Sequence, residues 1–129
     1  MRTRTTVISA AFVGIFGLMA SLSAVAADTA VSRVIVVQTA DVPGYVHEVE
    51  TLQALLKKAG VPATLRVWRA TYAGADTGSI VVIVEVPNLA GIAKVEDTIR
   101  TNPDLAAEMK KISGMRKIVS DSLYDLLSH

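Results

Sequence analysis

The chain of 129 residues contains no cysteine. That single absence excludes disulfides, thiolate metal sites and cysteine nucleophiles together. Histidine is nearly missing too: His47 and His129 are too few for a multi-histidine metal site. Neither sign of charge dominates. The 13 Lys+Arg and 12 Asp+Glu leave a net charge of +1, which argues against a strongly basic nucleic-acid binder and against an acidic disordered tail. Aromatic residues make up only 5% of the chain, and both phenylalanines, Phe12 and Phe16, lie near its start. The remaining aromatics, Tyr45, Trp68, Tyr72 and Tyr124, all carry a polar handle. A core must therefore come from Val, Ile, Leu, Ala and Met. With 51% apolar residues there is enough material for one, and the length suits a single domain.

The first 26 residues read as an export signal. Arg2 and Arg4 form a positive start, Val7 to Leu22 is apolar and uncharged, and Ala24-Val25-Ala26 supplies small residues where a signal peptidase reads. The apolar run is about 16 residues, short of the ~20 that span a bilayer. Cleavage is expected after Ala26, leaving one domain, Ala27 to His129, in the periplasm or secreted, with no stable membrane insertion. Lipid anchoring is excluded because no Cys follows the apolar run. An exported protein without cysteine suits a bacterial periplasm, where disulfides are allowed but not required.

Beyond the signal, Arg33 to Gln38 is a β-branched run and predicts strand one. Asp41-Val-Pro-Gly44 reads as a break. From Tyr45 the period changes: Val46, Val49, Leu52, Leu56 and Ala59 recur at spacings of three and four, the mark of an amphipathic helix. Lys57 and Lys58 fall in its last turn, with Gly60 and Pro62 as stop signals. Thr64–Tyr72 and Ser79–Val86 predict strands two and three, joined by a hairpin loop over Ala73–Gly78. Asn88 is placed to cap a second helix, and Asn102-Pro103-Asp104 starts a third helical piece reaching about Ile112. Met115 to Tyr124 predicts strand four. The order β-α-β-β-α-β is the split βαβ, ferredoxin-like arrangement of the α+β class: a four-stranded antiparallel sheet, helices on one face, strands one and three central.

An antiparallel sheet with one wet face should alternate apolar and polar residues. Strand three does not: Ile80, Val82, Val84 and Val86 point one way, Val81 and Ile83 the other. Strand one repeats this with Ile35 and Val37 against Val34 and Val36. The second face is too apolar to leave in water. A second copy of the chain is the simplest cover, which predicts a homodimer joined sheet to sheet.

Three segments, Trp68-Arg-Ala-Thr-Tyr-Ala-Gly74, Gly78-Ser-Ile-Val-Val-Ile-Val-Glu-Val-Pro87 and Ile118-Val-Ser-Asp-Ser-Leu-Tyr124, resemble the dimeric α+β barrel superfamily. This superfamily includes antibiotic-biosynthesis-monooxygenase-like, EthD-like and NIPSNAP-like domains. The resemblance spans Val31 to Leu127 and implies the dimeric barrel fold more firmly than any one activity. Its members include cofactor-free oxygenases, haem-degrading enzymes, isomerases and stress-response barrels. Haem-degrading members share an Asn, a Trp and a His; here Trp68 stands without an Asn in strand one or a His in the second helix, which argues against haem chemistry.

If Tyr72 and Ser79 close the hairpin, Ala70 faces Val81, Trp68 faces Ile83 and Arg66 faces Glu85. Arg66, Trp68, Tyr72 and Glu85 would then share one face, with an ion pair across the strands. Two readings follow: a pocket inside the barrel where Trp68 and Tyr72 stack on a small apolar ligand, or dimer packing with a structural ion pair. Elsewhere the chemistry is thin. His47 has no evident partner for a base, Glu48 and Glu50 do not share a helix face, and Ser120 to Ser122 lack a nucleophile elbow. Lys110, Lys111, Arg116 and Lys117 have no interleaved aromatics, so no nucleic-acid partner is expected. No catalytic residue, cofactor or metal is assigned. The expected function is an exported, non-enzymatic dimeric barrel that binds a small apolar ligand. The alternative is a cofactor-free oxygenase or isomerase acting on an aromatic or quinone-like substrate.

Overall fold

The computed structural model describes residues 29–128, so the expected signal, residues 1–26, lies outside the described residues. The elements run β1 (Val31–Gln38), α1 (Val42–Lys58), β2 (Thr64–Arg69), a 3-10 turn (Gly74–Asp76), β3 (Ile80–Val86), α2 (Leu89–Thr101), α3 (Pro103–Gly114) and β4 (Lys117–Asp125). The sheet order is β2-β3-β1-β4, all neighbours antiparallel. The two β-branched strands are central and the two charged strands form the edges, the ferredoxin-like arrangement expected from the element order.

Local chemistry explains the boundaries. Asp41 caps α1 by accepting a 3.0 Å hydrogen bond from the Gly44 N–H, with Pro43 in the first turn. The Asp41-Val-Pro-Gly44 stretch is therefore the helix start and not only a break. A Cβ at Gly44 would collide with Asp41 Oδ2, so any side chain there would push the cap away. Asn102 ends α2 and caps α3 through the Asp104 and Leu105 N–H groups, at 3.0 and 3.3 Å. Pro103, with no N–H to offer, fits the first position of the new helix. Gly91 lets α2 rest directly on β3: a Cβ there would lie 2.8 Å from Val86 Cβ.

The core lies between the sheet and the helices. Val31, Ile35 and Val37 of β1 and Ile80, Val82 and Val86 of β3 meet Tyr45, Val49, Leu52 and Leu56 of α1, Val95 of α2 and Leu105 and Ile112 of α3. Each aliphatic side chain so buried contributes about 1.5–3 kcal/mol of transfer free energy.

The hairpin register differs from expectation. Trp68 faces Val81, Arg66 faces Ile83 and Thr64 faces Glu85, a slip of two residues. The loop is longer than expected because Ala70 and Ser79 pair, the Ala70 N–H donating to the Ser79 carbonyl at 2.9 Å. Within it, the 3-10 turn and the Thr77 hydroxyl, which accepts from the Ala73 N–H at 3.2 Å, satisfy the backbone locally. A two-residue slip preserves which face each side chain points to, since the strand period is two. Arg66 and Glu85 still meet, now diagonally, with Nε 2.8 Å from Oε2. β2 stops at Arg69, so Tyr72 leaves the sheet and is fully exposed, at 101%.

Candidate functional site

Arg33 is the anomaly of the central strand. It shares the helix-facing side of β1 with buried Val31, Ile35 and Val37. A guanidinium in such a row must find anionic partners. Asp121 of β4 supplies both oxygens, at 2.8 Å from Nε and 2.6 Å from Nη2, and Glu96 of α2 lies 2.9 Å from Nη1. The Arg33 hydrogen bonds hold the Asp121 carboxyl below its ordinary range, and the Arg33 guanidinium is correspondingly shifted up.

A bulge in β4 completes this arrangement. Val36 faces Ser120 but Val37 faces Ile118, so Val119 is the extra residue. Ile118 and Asp121 are thereby both turned toward the helices, as a bulge re-aims side chains. Above them lies an apolar cavity of about 110 Å³ between the sheet and all three helices. Val82 and Val84 form part of its floor, α1 contributes Tyr45 and Val49, and Ile99 and Met109 close it from α2 and α3. Its polar groups are Arg33, Glu96, Asp121, Arg116 and the Tyr45 hydroxyl. Tyr45 is completely buried, and its oxygen accepts a 3.1 Å hydrogen bond from Arg116 Nη1.

The sequence-predicted residues lie on the opposite face. Across the sheet the rows read Trp68, Val81, Val36, Ser120, then Arg66, Ile83, Val34, Ser122, then Thr64, Glu85, Ser32, Tyr124. The structure brings Arg66, Trp68 and Glu85 together on this face and leaves Tyr72 out of it. Tyr124 takes a place there at the far edge. Trp68 is 57% exposed and stands on an open surface in the described chain. The Arg66 guanidinium is raised by its hydrogen bond to Glu85.

Sequence reasoning missed Arg33, Tyr45, Arg116, Asp121 and Glu96. Two signals were available. Arg33 interrupts a Val/Ile strand at core-facing parity, and Tyr45 precedes Val49, Leu52 and Leu56 on the helical stripe. The bulge that aims Asp121 and Ile118 had no sequence mark.

A second titratable cluster lies where α1 meets α3. Lys111 Nζ is 2.8 Å from Glu48 Oε1, while Glu108 Oε1 is buried with no partner. Burial, then the neighbouring Glu48, pushes the Glu108 carboxyl up; the Lys111 hydrogen bond holds Glu48 down. Among the described residues no group of His, Asp or Glu is placed to hold a metal ion, and no helix is long and apolar enough to cross a membrane.

No protein-family model matches the chain, and no curated protein matches it by sequence. Solved structures do match in shape. A conserved protein of unknown function from Bacteroides thetaiotaomicron, described as a possible oxidoreductase, is 10% identical and superposes with a TM-score of 0.58 over 78% of this chain and 100% of that one. SnoaB, a cofactor-independent oxygenase from Streptomyces nogalater studied as a mutant, is 12% identical, with a TM-score of 0.60 over 80% of this chain and 97% of that one. At these identities the likeness is one of fold. It agrees with the ferredoxin-like strand order.

Proposed function

We propose that this protein binds a small apolar molecule in the cavity between its sheet and its helices, and that its open sheet face pairs two copies. The observation that carries the binding reading is the cavity itself: about 110 Å³, walled by aliphatic side chains, with a few polar groups in its lining. Apolar walls with a few polar groups are the character of a small-molecule site, and the volume restricts the occupant to a small one. This moves the ligand from the Trp68 side, where the sequence had placed it, to the helix side.

The open face supports the dimer. Val34, Val36, Val81 and Ile83 form an aliphatic centre, rimmed by Arg66, Trp68, Glu85, Ser120 and Tyr124. An apolar centre with a polar, aromatic rim is the composition of a protein interface. Export with cleavage after Ala26 belongs to the same proposal, and mass spectrometry of protein from a periplasmic extract should find a chain beginning at Ala27.

A second reading makes the cavity an active site for cofactor-independent oxygenation or isomerisation of an aromatic or quinone-like substrate. The shared fold with SnoaB favours it, and turnover of a quinol under oxygen, lost in Tyr45→Phe, would establish it. For the binding reading, toluene should raise the melting temperature of the wild type. Val84→Phe, which fills the cavity floor, should abolish that rise. A wild type indifferent to toluene and similar small apolar probes would contradict the reading.

A further inference from the structure

We infer that the occupant of the cavity is a small apolar monocarboxylate, its carboxylate received by Arg116 and the Tyr45 hydroxyl and its single ring or short alkyl body lying among the aliphatic walls. This inference rests on the reading that the cavity is the ligand site, and it adds the chemical class.

The charges lining the cavity are unequally committed. Both carboxylates there, Asp121 and Glu96, are engaged by Arg33. Arg116 forms no ion pair among the described residues; its one side-chain partner is the neutral Tyr45 oxygen. Tyr45 is fully buried, and because its oxygen accepts from Arg116, its own proton is left without an acceptor among the described residues. A buried hydroxyl proton without an acceptor is costly, and Arg116, which shares the field of Asp121 without a direct bond to it, has donors left over. One ligand group answers both. A carboxylate has two oxygens, so one can accept from Arg116 and the other from the Tyr45 hydroxyl. A charge-assisted bond of this kind is roughly twice as strong as a neutral one. A neutral ketone could accept from both donors, but without the gain of a charge-assisted bond.

Size sets the rest of the molecule. An apolar cavity of about 150 Å³ accommodates benzene. Here about 110 Å³ is open, which makes a single ring or a short alkyl body the upper limit. Met109 lines the space, and an unbranched thioether side chain shifts readily to admit a ring. A fused polycyclic body would not fit without moving a helix.

The test uses benzoate and toluene as paired probes, the same ring with and without the carboxylate, followed by NMR titration of the protein at neutral pH. Both should bind the wild type, benzoate more tightly. Arg116→Gln should weaken benzoate about tenfold or more and leave toluene within about twofold. Tyr45→Phe, which keeps the ring and removes only the hydroxyl, should weaken benzoate alone; thermal melts confirm that each variant is folded. If toluene binds but benzoate does not, or if benzoate binds Arg116→Gln as it binds wild type, the carboxylate assignment is overturned and the cavity reading survives. If neither probe binds, the cavity reading itself fails and the assignment with it.

Discussion

On the helix side of the sheet, Arg33 stands among Val31, Ile35 and Val37 and is met by Asp121 and Glu96. On the open side, Val34, Val36, Val81 and Ile83 form an aliphatic centre whose only ion pair, Arg66 with Glu85, lies at the rim among the described residues. The difference concerns where charge is tolerated. The helix side takes charge into its centre because three elements converge there to satisfy it, and a cavity remains beside the network. The open side keeps charge to its edge, as a surface does when it is to be covered by another surface. The first arrangement suits a small molecule and the second a macromolecular partner.

The strongest way to break this comparison is to put a charge into the open centre. Val81→Lys should convert a dimer to a folded monomer in sedimentation velocity, because desolvating an unpaired ammonium costs several kcal/mol. A wild type that is already monomeric at micromolar concentration would remove the open-face half of the account. Next in size is the cavity wall. Tyr45→Ala should cost about 3–5 kcal/mol of stability in denaturant melts, as large-to-small changes of buried aromatics do. Trp68→Ala, on the open face, should leave toluene binding unchanged.

The Arg33 network gives a smaller effect with a defined pH dependence. Asp121 is held below its ordinary pKa by Arg33. Its contribution is therefore present above the unfolded pKa and is lost as pH falls through the folded value. Asp121→Asn should lower stability at neutral pH by about 1–2 kcal/mol, and the gap to wild type should close on acidification. The smallest effect belongs to the α1–α3 seam. Glu108 is shifted up, so its contribution is present below the unfolded pKa and is lost as pH rises through the folded value. Glu108→Gln should flatten that decline above the ordinary glutamate range, and pH-stepped thermal melts would read it.

Most of the fold was legible because its signals were local and redundant. Val/Ile runs marked the central strands, and the caps at Asn88 and Asn102 marked the second and third helices. The open face was legible from Val81 and Ile83, whose period-two pattern survives a register slip of two. The register itself was not legible, because it depends on hydrogen bonds inside the Thr71–Gly78 loop that no residue type announces. The grouping of Arg66, Trp68, Tyr72 and Glu85 was legible only in part, for a related reason. Trp68 and Tyr72 drew attention as aromatics, but Tyr72 falls in that loop. Nothing in the sequence marks Asp121 as a partner of Arg33, because only the bulge at Val119 and the pairing of β4 beside β1 bring the two together.

The division of labour between the two faces can be tested in one titration. Toluene added to methyl-labelled protein should shift the resonances of Leu52, Ile99, Met109 and Ile112 around the cavity and leave Val34, Val81 and Ile83 on the open face unmoved. Shifts concentrated at Val34, Val81 and Ile83, with the cavity methyls silent, would contradict the account and return the ligand to the Trp68 side of the sheet.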